Sequence, residues 1–401
     1  MKLSKFTRGS LKLALCVGIV FNFQFPILNS ASAQEDSTGR LTLVVENHHF
    51  FKDNEYGLKR MDGYTLPGFY FRPRIAWQVE KRVHLEVGAH WLNFWGAHAY
   101  PTMISYTSAH PTWSDTSARV HVQPWVQARV DFAPWIAVVI GNLDNRHGHG
   151  LPTPLYNREL SYAADPEAGV QMLVDCPWID IDAWADWREF IFDRSKHQEQ
   201  FYVGTATHLK LPLGKGWTLY SPLYLLAQHT GGGGLDTPVY LHTKNKVNFG
   251  FGAGVRYEEG DFGADLEVLG LRFKQQRDTS IHFSSGWAFS PTLRLRWRSI
   301  GFEANWWDGE NFIPLMGCAH YSNKSLNDNN ITFDRIQNLT LKLQYKWRGF
   351  HACSVMTEAE MIHYFPYTQY EVGMPPEERG HATMVATGIH VMLNPTITLK
   401  R

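Results

Sequence analysis

The sequence of 401 residues has few of the features that define several common protein classes. It has four cysteines, and one of them, Cys16, lies in the N-terminal segment, which leaves Cys176, Cys318 and Cys353 at irregular spacing. Three cysteines without a repeat support neither a disulfide scaffold nor a zinc site, although one pair could form in an oxidising compartment. The formal net charge is zero, which argues against nucleic acid as a partner.

Long apolar runs are also missing. No later segment approaches the roughly 18 consecutive apolar residues that a helical membrane span needs. The first residues combine a basic stretch, Met1 to Lys12, with an apolar stretch, Leu13 to Phe25, and a small-residue cleavage motif, Ala31-Ser32-Ala33. This is the pattern of a secretory signal peptide. We therefore predict that residues 1–33 are removed and that residues 34–401 form one domain.

The mature sequence contains about sixteen short segments in which apolar and polar residues alternate, as in strands with two different faces. The clearest runs from Ile179 to Phe192, where the apolar residues share one face. The other face carries Asp180, Asp182, Asp186 and Arg188. The same alternation recurs from the segment around Val87 to the last one, which ends at Leu399. The pattern predicts an all-β protein.

The connections between these segments alternate in length. Tight turns, such as Cys176-Pro177-Trp178 and Gly214-Lys215-Gly216, separate long polar connections such as 96–117, 142–167 and 308–334. Hairpin loops in soluble proteins usually run about 2 to 5 residues. Long loops sorted to one side and tight turns to the other are typical of a barrel in an outer membrane. A large secreted β-sandwich is the alternative, but it has no reason to sort its loops.

The signal peptide, the alternating strands, the sorted loops and the Trp and Tyr residues at strand ends together resemble porin-like outer-membrane β-barrel proteins of Gram-negative bacteria. The resemblance covers essentially the whole mature chain. It implies a transmembrane antiparallel β-barrel of about 16 strands, roughly 14 to 18, with long extracellular loops and short periplasmic turns. It also implies outer-membrane lipid and the barrel-assembly machinery as partners. One departure is the C-terminus, which ends Leu399-Lys400-Arg401 and not in an aromatic residue.

The polar strand faces supply the candidate pore-lining residues. Foremost is a ladder of Arg294, Arg296 and Arg298, because three guanidinium groups on one face repel one another unless water or counter-charges screen them. The ladder either selects anionic or hydroxylated solutes or pairs with lumen acids to brace the wall, and the brace is favoured. The other pore-lining candidates are Asp180, Asp182, Asp186, Arg188, Glu86, Arg119, Arg129 and Lys342.

The loop segment Gly141 to Tyr156 concentrates polar residues in the sequence GNLDNRHGHGLPTPLY. Asp144, Arg146, His147 and His149 form a candidate constriction or ligand-contacting loop if the segment folds inward. The two imidazoles and the carboxylate could instead hold a divalent metal, and an ordinary surface loop is the third interpretation. We predict no bound metal or cofactor.

The function predicted first is a porin-like channel for small polar solutes or oligosaccharides. The second is a non-conducting barrel for surface polysaccharide assembly or glycan binding. The third is an outer-membrane hydrolase, which needs a nucleophile or activated water and a His base near the membrane edge. No Gly-x-Ser-x-Gly motif and no paired spacing marks a triad, so the sequence favours a protein that is not an enzyme. Triads do, however, assemble in space and not in sequence.

Overall fold

The computed structural model describes residues 38–95, 119–145, 148–234, 242–326, 328–349 and 352–400. These residues form one antiparallel sheet that closes into a barrel. The sheet contains seventeen strand segments, and the last two continue in one register across Asn394-Pro395, which makes sixteen barrel strands. The first strand pairs with the last, with Asn47 opposite Leu393 and Leu43 opposite Ile397. The predicted fold is therefore confirmed, and the protein is an outer-membrane β-barrel.

Each barrel strand pairs with its neighbours in sequence. The strands in chain order are β1 (Leu41–Glu55), β2 (Tyr64–Glu80), β3 (Val83–Phe94), β4 (Arg119–Ala133), β5 (Ile136–Asn142), β6 (Ala168–Cys176), β7 (Ile179–Glu189), β8 (Glu199–Gly214), β9 (Trp217–Gly231), β10 (Lys244–Glu259), β11 (Phe262–Gln276), β12 (Ser285–Trp297), β13 (Ile300–Glu310), β15 (Arg335–Arg348), β16 (Cys353–Tyr364), β19 (Ala382–Leu393) and β20 (Thr396–Lys400). Short turns join the strands at one end, which we call the turn end. Longer connections join them at the other, which we call the loop end.

Three short strands lie in the connections at the loop end. They are β14 (Ile331–Phe333), β17 (Tyr367–Glu371) and β18 (Glu377–Arg379), and they form a small separate sheet. The only α-helix in the described ranges is one turn, α1 (Leu160–Ala163). No helix within those ranges is long and apolar enough to cross a membrane.

The barrel wall is apolar on the outside, as its surroundings require. Along β9, Leu219 and Leu223 are each 42 % exposed on the outer face, whereas Tyr224 and Leu226 are buried in the lumen. Alternation with period two sends successive side chains to opposite faces of a strand. In an outer-membrane barrel the exposed apolar face contacts lipid. The buried core of this protein therefore lies inside the barrel.

Loops from the loop end occupy the lumen and form much of this core. Leu151, Leu155 and Tyr156 of the connection after β5 are almost fully buried, as are Phe312 and Met316 of the connection after β13. Two of the connections that were predicted as long polar loops thus fold inward and pack against each other. The inward path of the loop after β5 was one of its three predicted interpretations, whereas its packing against the loop after β13 was not predicted, because alternation says nothing about the path of a loop. Among the described residues, Cys176, Cys318 and Cys353 are all free thiols.

Candidate active site

The members of the predicted arginine ladder differ in their surroundings: Arg294 and Arg296 lie on the lumen face of β12, whereas Arg298 lies in the turn after it. Arg294 contacts three carboxylates, with its guanidinium nitrogens 3.1 Å from Asp265 Oδ1, 3.4 Å from Glu267 Oε1 and 3.1 Å from Glu303 Oε2. Each carboxylate comes from β11 or β13, the strands on either side. A cation held by three acids on its neighbours has the geometry expected of a wall brace.

The other two arginines of the ladder lie toward the turn end and are more exposed. Arg296 Nη2 is 3.6 Å from Glu258 Oε1, and Arg298 Nε is 3.7 Å from Asp261 Oδ2, with both side chains of the second pair more than two-thirds exposed. Exposed ion pairs of this kind contribute little to stability. The ladder is therefore three separate ion-pair sites and not one uniform basic face.

The acidic face of β7 contacts the lumen loop and the neighbouring strand. Asp180 pairs with Lys210, Asp182 accepts a hydrogen bond of 2.9 Å from the Gln171 amide, and Asp186 pairs with Arg188. Of the remaining candidates, Arg129 lines a cavity together with Asp180 and Asp182. Glu86 lies 2.6 Å from Arg74 Nε, Arg129 lies 2.8 Å from Asp131, Lys342 lies 2.8 Å from Glu358, and the Arg119 side chain lies outside the described residues.

His149 is the centre of contact between the loop and the wall. Its Nδ1 lies 3.0 Å from Asp182 Oδ2 and its Nε2 lies 2.5 Å from Glu167 Oε2. The imidazole stacks on Trp184, with ring centroids 3.9 Å apart and planes 9° from parallel. Gly204 of β8 makes room for that indole, because a Cβ there would lie 2.3 Å from the Trp184 ring.

The charge state of this centre follows from its partners. Burial alone would lower the pKa of the His149 imidazole, but Glu167 and the hydrogen bonds to Asp182 and Glu167 outweigh burial and raise the pKa to about 10. Burial would raise the pKa of Glu167, but His149 and Arg188 lower it to about 2. His149 is thus an imidazolium between two carboxylates, with no lone pair for a metal. Within the described ranges no group of His, Cys, Asp and Glu forms a metal site.

Asp144 of the predicted ligand loop contacts Gln171 through its backbone, with its N–H donating to Gln171 Oε1 at 2.9 Å and its carbonyl oxygen accepting from Gln171 Nε2 at 3.1 Å. Arg146 and His147 lie outside the described residues. The loop runs inward, as one of the three interpretations held, and a single histidine attaches it to the wall.

A second inward loop, residues 311–326, locks against the first. The Asn157 N–H donates to the Met316 carbonyl oxygen at 2.7 Å. Asn248 on β10 holds this second loop from the wall: its amide donates to Ile313 O at 2.9 Å, and its oxygen accepts from Leu315 N–H at 2.8 Å. We call these two loops, 143–167 and 311–326, the plug. The described residues of the plug occupy part of the lumen, where a general porin would hold water, and a cavity of about 820 Å³ lined by Asp180, Lys210 and Arg256, among others, remains beside them.

A different group of polar side chains lies on the outer wall, at the loop end of β16 and β19. Thr383 is directly opposite His363 in the strand register. Thr383 Oγ1 lies 2.9 Å from His363 Nδ1, and His363 Nε2 lies 3.2 Å from His381 Nδ1. The group faces outward because Ile362 and Met384, the alternate residues of the same strands, are buried in the lumen. We call Thr383, His363 and His381 the rim cluster.

The contacts of the rim cluster are compatible with proton positions in which the Thr383 hydroxyl is a donor. If the Thr383 hydroxyl donates to His363 Nδ1, then His363 carries its proton on Nε2 and donates it to His381 Nδ1. This is the order of a hydroxyl nucleophile, a base and a group that orients the base. Because the orienting group is a neutral imidazole, it fixes the tautomer without adding a negative charge.

The rim cluster lies at the boundary between polar and apolar wall. Phe365 packs edge-on against both imidazole rings, at 5.2 and 5.6 Å between centroids, and Trp306 lies 5.0 Å from Phe365. Directly toward the turn end, the outward residues become apolar, with Met361 36 % and Val385 46 % exposed. Aromatic residues at such a boundary mark the level of lipid headgroups. Groups attached near a lipid headgroup can therefore reach these side chains.

Sequence reasoning missed the rim cluster. His363 lies on β16, Thr383 lies on β19 and His381 directly precedes β19, so only the register between the two strands brings them together. One signal was present: His363 and Thr383 occupy positions in phase with the apolar, lipid-facing residues, where polar side chains are costly unless they lie at the membrane edge.

Comparison with known proteins bears directly on the choice between a channel and an enzyme. Residues 33–401 match the family described as lipid A 3'-O-deacylase-type. The chain belongs to this family. The expectation that the protein is not an enzyme is therefore wrong, because the family is one of enzymes. The error arose because the sequence carries no linear motif, and the polar groups that could act together meet only after folding. No protein with a curated description matches the sequence.

The chain is also similar, at low sequence identity, to solved structures of outer-membrane proteins. A loop-deletion form of OmpT from Vibrio cholerae is similar at 9% identity and a TM-score of 0.49, covering 89% of this chain and 100% of that one. OpdK from Pseudomonas aeruginosa is similar at 10% identity and a TM-score of 0.47, covering 89% of this chain and 98% of that one. OccAB2 from Acinetobacter baumannii is similar at 10% identity and a TM-score of 0.46, covering 90% of this chain and 98% of that one. Likeness at this level concerns architecture and carries no information about function.

Proposed function

We propose that this protein is an outer-membrane hydrolase that removes an ester-linked acyl chain from lipid A, and that the rim cluster is its active site. The observation that carries the proposal is the contact of 2.9 Å between Thr383 Oγ1 and His363 Nδ1 on the lipid-facing wall. The family match to lipid A 3'-O-deacylases supplies the reaction class. The geometry supplies a hydroxyl, a base and a place that a lipid can reach.

The reaction balances as a two-step acyl transfer. His363 Nδ1 takes the proton of the Thr383 hydroxyl as Oγ1 attacks the ester carbonyl carbon. The sugar oxygen leaves with that proton, and the acyl chain remains on Thr383 as an ester. A water molecule, deprotonated by the same imidazole, then releases the fatty acid and restores the hydroxyl. His381 is a positioning residue, since it touches the base and not the reacting atoms.

The wall below the rim cluster offers a path for the acyl chain. The outward residues of β16 continue from Met361 to Ala359 and Thr357, and the small Ala359 lies between Leu343 and Thr387 on the flanking strands. Six residues of strand span about 20 Å. An acyl chain lying along β16 would keep its ester near His363 and its methyl end in the hydrocarbon.

A luminal site is a weaker candidate for this reaction. A cavity of about 300 Å³ between the plug and the wall is lined by His48, His390, Glu358 and Ser161, among others. His48 Nε2 lies 3.0 Å from His390 Nδ1, so hydrolytic residue types do meet there. However, the side chains lie inside the barrel, whereas the acyl chains of lipid A lie in the leaflet outside. An ester would have to leave the membrane and enter the lumen.

The plug also weighs against the porin-like function. A conducting barrel needs a continuous aqueous path, and the plug takes up part of the lumen with buried residues such as Leu151 and Phe312. The same plug suits an enzyme that uses the barrel as a rigid scaffold. Sites built on strands hold their geometry more precisely than sites on loops.

The proposal is tested by the mass of lipid A from cells that express the protein and its variants. The wild-type protein should produce lipid A that lacks one acyl chain. His363→Asn should slow this conversion by about 10²- to 10⁴-fold, the usual contribution of a general base. Thr383→Val should slow the conversion to a similar extent, because it removes the hydroxyl while keeping the side-chain volume nearly constant.

The matched control is His229→Asn. His229 is another outward histidine at the loop end, on β9, and its Nδ1 lies 2.7 Å from Asn245 Oδ1. This variant should leave deacylation unchanged if the rim cluster is the site. Full activity in folded His363→Asn, with a loss in His229→Asn, would move the site to the other side of the barrel and refute the assignment.

A further inference from the structure

The outer wall carries a second polar feature, on β11 and away from the rim cluster. Arg272 and Lys274 are exposed on the outer face, because Leu271 and Phe273 between them point into the lumen and are buried. Toward the turn end the same face is apolar, with Leu266 46 % exposed. The two cations therefore begin where the lipid-facing band ends.

Aromatic and apolar side chains frame the two cations. Arg272 lies between Phe249 of β10 and Trp287 of β12 in the strand register. Lys274 lies two residues further along β11 toward the loop end, opposite Val247 of β10. Tryptophan at this level is typical of the membrane interface, where its ring contacts lipid and its N–H contacts water. The setting places both cations at the depth of lipid headgroups.

Neither cation has an acidic partner among the residues that the structure describes. The nearby carboxylate of Asp278 is buried and turned toward Lys246, 2.9 Å away, and Lys244, 3.7 Å away. Glu310 lies on the far side of Trp287, opposite it on β13. Arg335, a further exposed cation at the loop end, differs from them because it pairs with Asp308.

We propose that Arg272 and Lys274 form a docking site for the phosphorylated headgroup of an outer-leaflet glycolipid. Two side chains that alternate on one strand face are about 7 Å apart at the backbone, so both can reach one phosphate group. Charge-assisted hydrogen bonds from Arg and Lys to phosphate are among the strong ones. Near the membrane interface a cation on the lipid face costs much less than it does at the bilayer midplane.

This site is independent of the proposed reaction. Four strand spacings, from β11 to β16, separate Arg272 from His363, or about 19 Å at the usual spacing between strands. A glycolipid held by β11 is therefore a neighbour of the barrel and not the molecule whose ester meets the rim cluster. The docking site can be present whether or not the rim cluster is catalytic.

Native mass spectrometry of the full-length mature protein in detergent tests the proposal. The probes are lipid A with two phosphates and the same lipid A after phosphatase treatment. The wild-type protein should retain the phosphorylated lipid, and the paired substitution Arg272→Gln with Lys274→Gln should reduce retention at least about tenfold, with a weaker effect at high salt. The single substitution Lys274→Gln should give an intermediate loss of lipid retention. It replaces the paired substitution in the test if the paired variant fails to fold.

The control pair is Lys81→Gln with Lys215→Gln, which removes two cations from turns at the opposite end of the barrel. It should leave retention unchanged. Equal retention of both lipids by the wild-type protein, or equal retention by the β11 variants and the wild type, would overturn the proposal. Displacement of the lipid by millimolar inorganic phosphate would overturn it too, because the site would then recognise free phosphate.

Discussion

The contact of His149 with the wall allows a quantitative prediction about the plug. His149→Asn keeps a residue that accepts the positive φ of 54° at this position but removes the imidazolium between Glu167 and Asp182. Glu167 would then remain buried with Arg188 as its cation, 3.4 Å away. Removing one partner of a buried ion pair costs about 3 to 5 kcal/mol. The plug should therefore open roughly 10²- to 10⁴-fold more often, since about 1.4 kcal/mol is a factor of ten.

Hydrogen exchange of backbone amides measures this opening directly. The Asn157 N–H and the Leu143 N–H, which donate to Met316 O and Glu167 O, report on the plug. Their peptides should lose protection in His149→Asn, whereas the barrel strands should keep it. The control is Arg298→Gln, which removes an ion pair whose partners are both mostly exposed and should change nothing measurable. Equal protection in His149→Asn and the wild type would refute the reasoning.

The same contact predicts a dependence on pH. Because the folded pKa of His149 is raised to about 10 from an ordinary value near 6.5, its contribution to stability is complete below pH 6.5 and is lost as the pH rises through 10. Glu167 has a lowered pKa, so its contribution is complete above its ordinary value and is lost as the pH falls through about 2. Plug protection in the wild type should therefore fall between about pH 6.5 and pH 10, and it should stay flat over that range in His149→Asn.

Three further predictions concern the lumen and the wall. The folded wild-type protein should be silent in a planar lipid bilayer, and discrete conductance steps would show that the plug leaves an open path. Thr383→Ser should keep most deacylation activity because it keeps the hydroxyl, and a Ser variant as inactive as Thr383→Val would contradict a nucleophilic role. Ala359→Trp should lower kcat/KM for long-chain esters and spare a short soluble ester, whereas Ala185→Trp on the distant outer face of β7 should spare both.

Much of the fold was predictable because a barrel in lipid repeats one local pattern. Alternation along β7 fixed which residues face lipid and which face the lumen, and tight turns such as Cys176-Pro177-Trp178 marked the turn end. The topology is then strongly constrained, because each strand must pair with its neighbours and the sheet must close. The same local logic placed Arg294 among acidic residues, where the structure has it.

The sites were harder to predict because they depend on contacts between distant segments. The partners of His149 are Glu167 and Asp182, which lie 18 and 33 residues further along the chain. Alternation of polar and apolar residues does not predict the path of the loop that brings His149 to them. Thr383 and His363 are 20 residues apart, and a shift of one residue between β16 and β19 would send one of them into the lumen. Register and loop packing, not residue type, decide both sites.

The most direct measurement is the mass of defined lipid A incubated with the purified, folded wild-type protein in lipid nanodiscs, followed by peptide mapping of the protein. The account predicts that lipid A loses the mass of one acyl chain and that the peptide containing Thr383 carries a transient acyl group. An unchanged lipid A mass in the presence of folded protein would contradict the proposed function. Deacylation with an acyl group on another residue would contradict the rim cluster as its site.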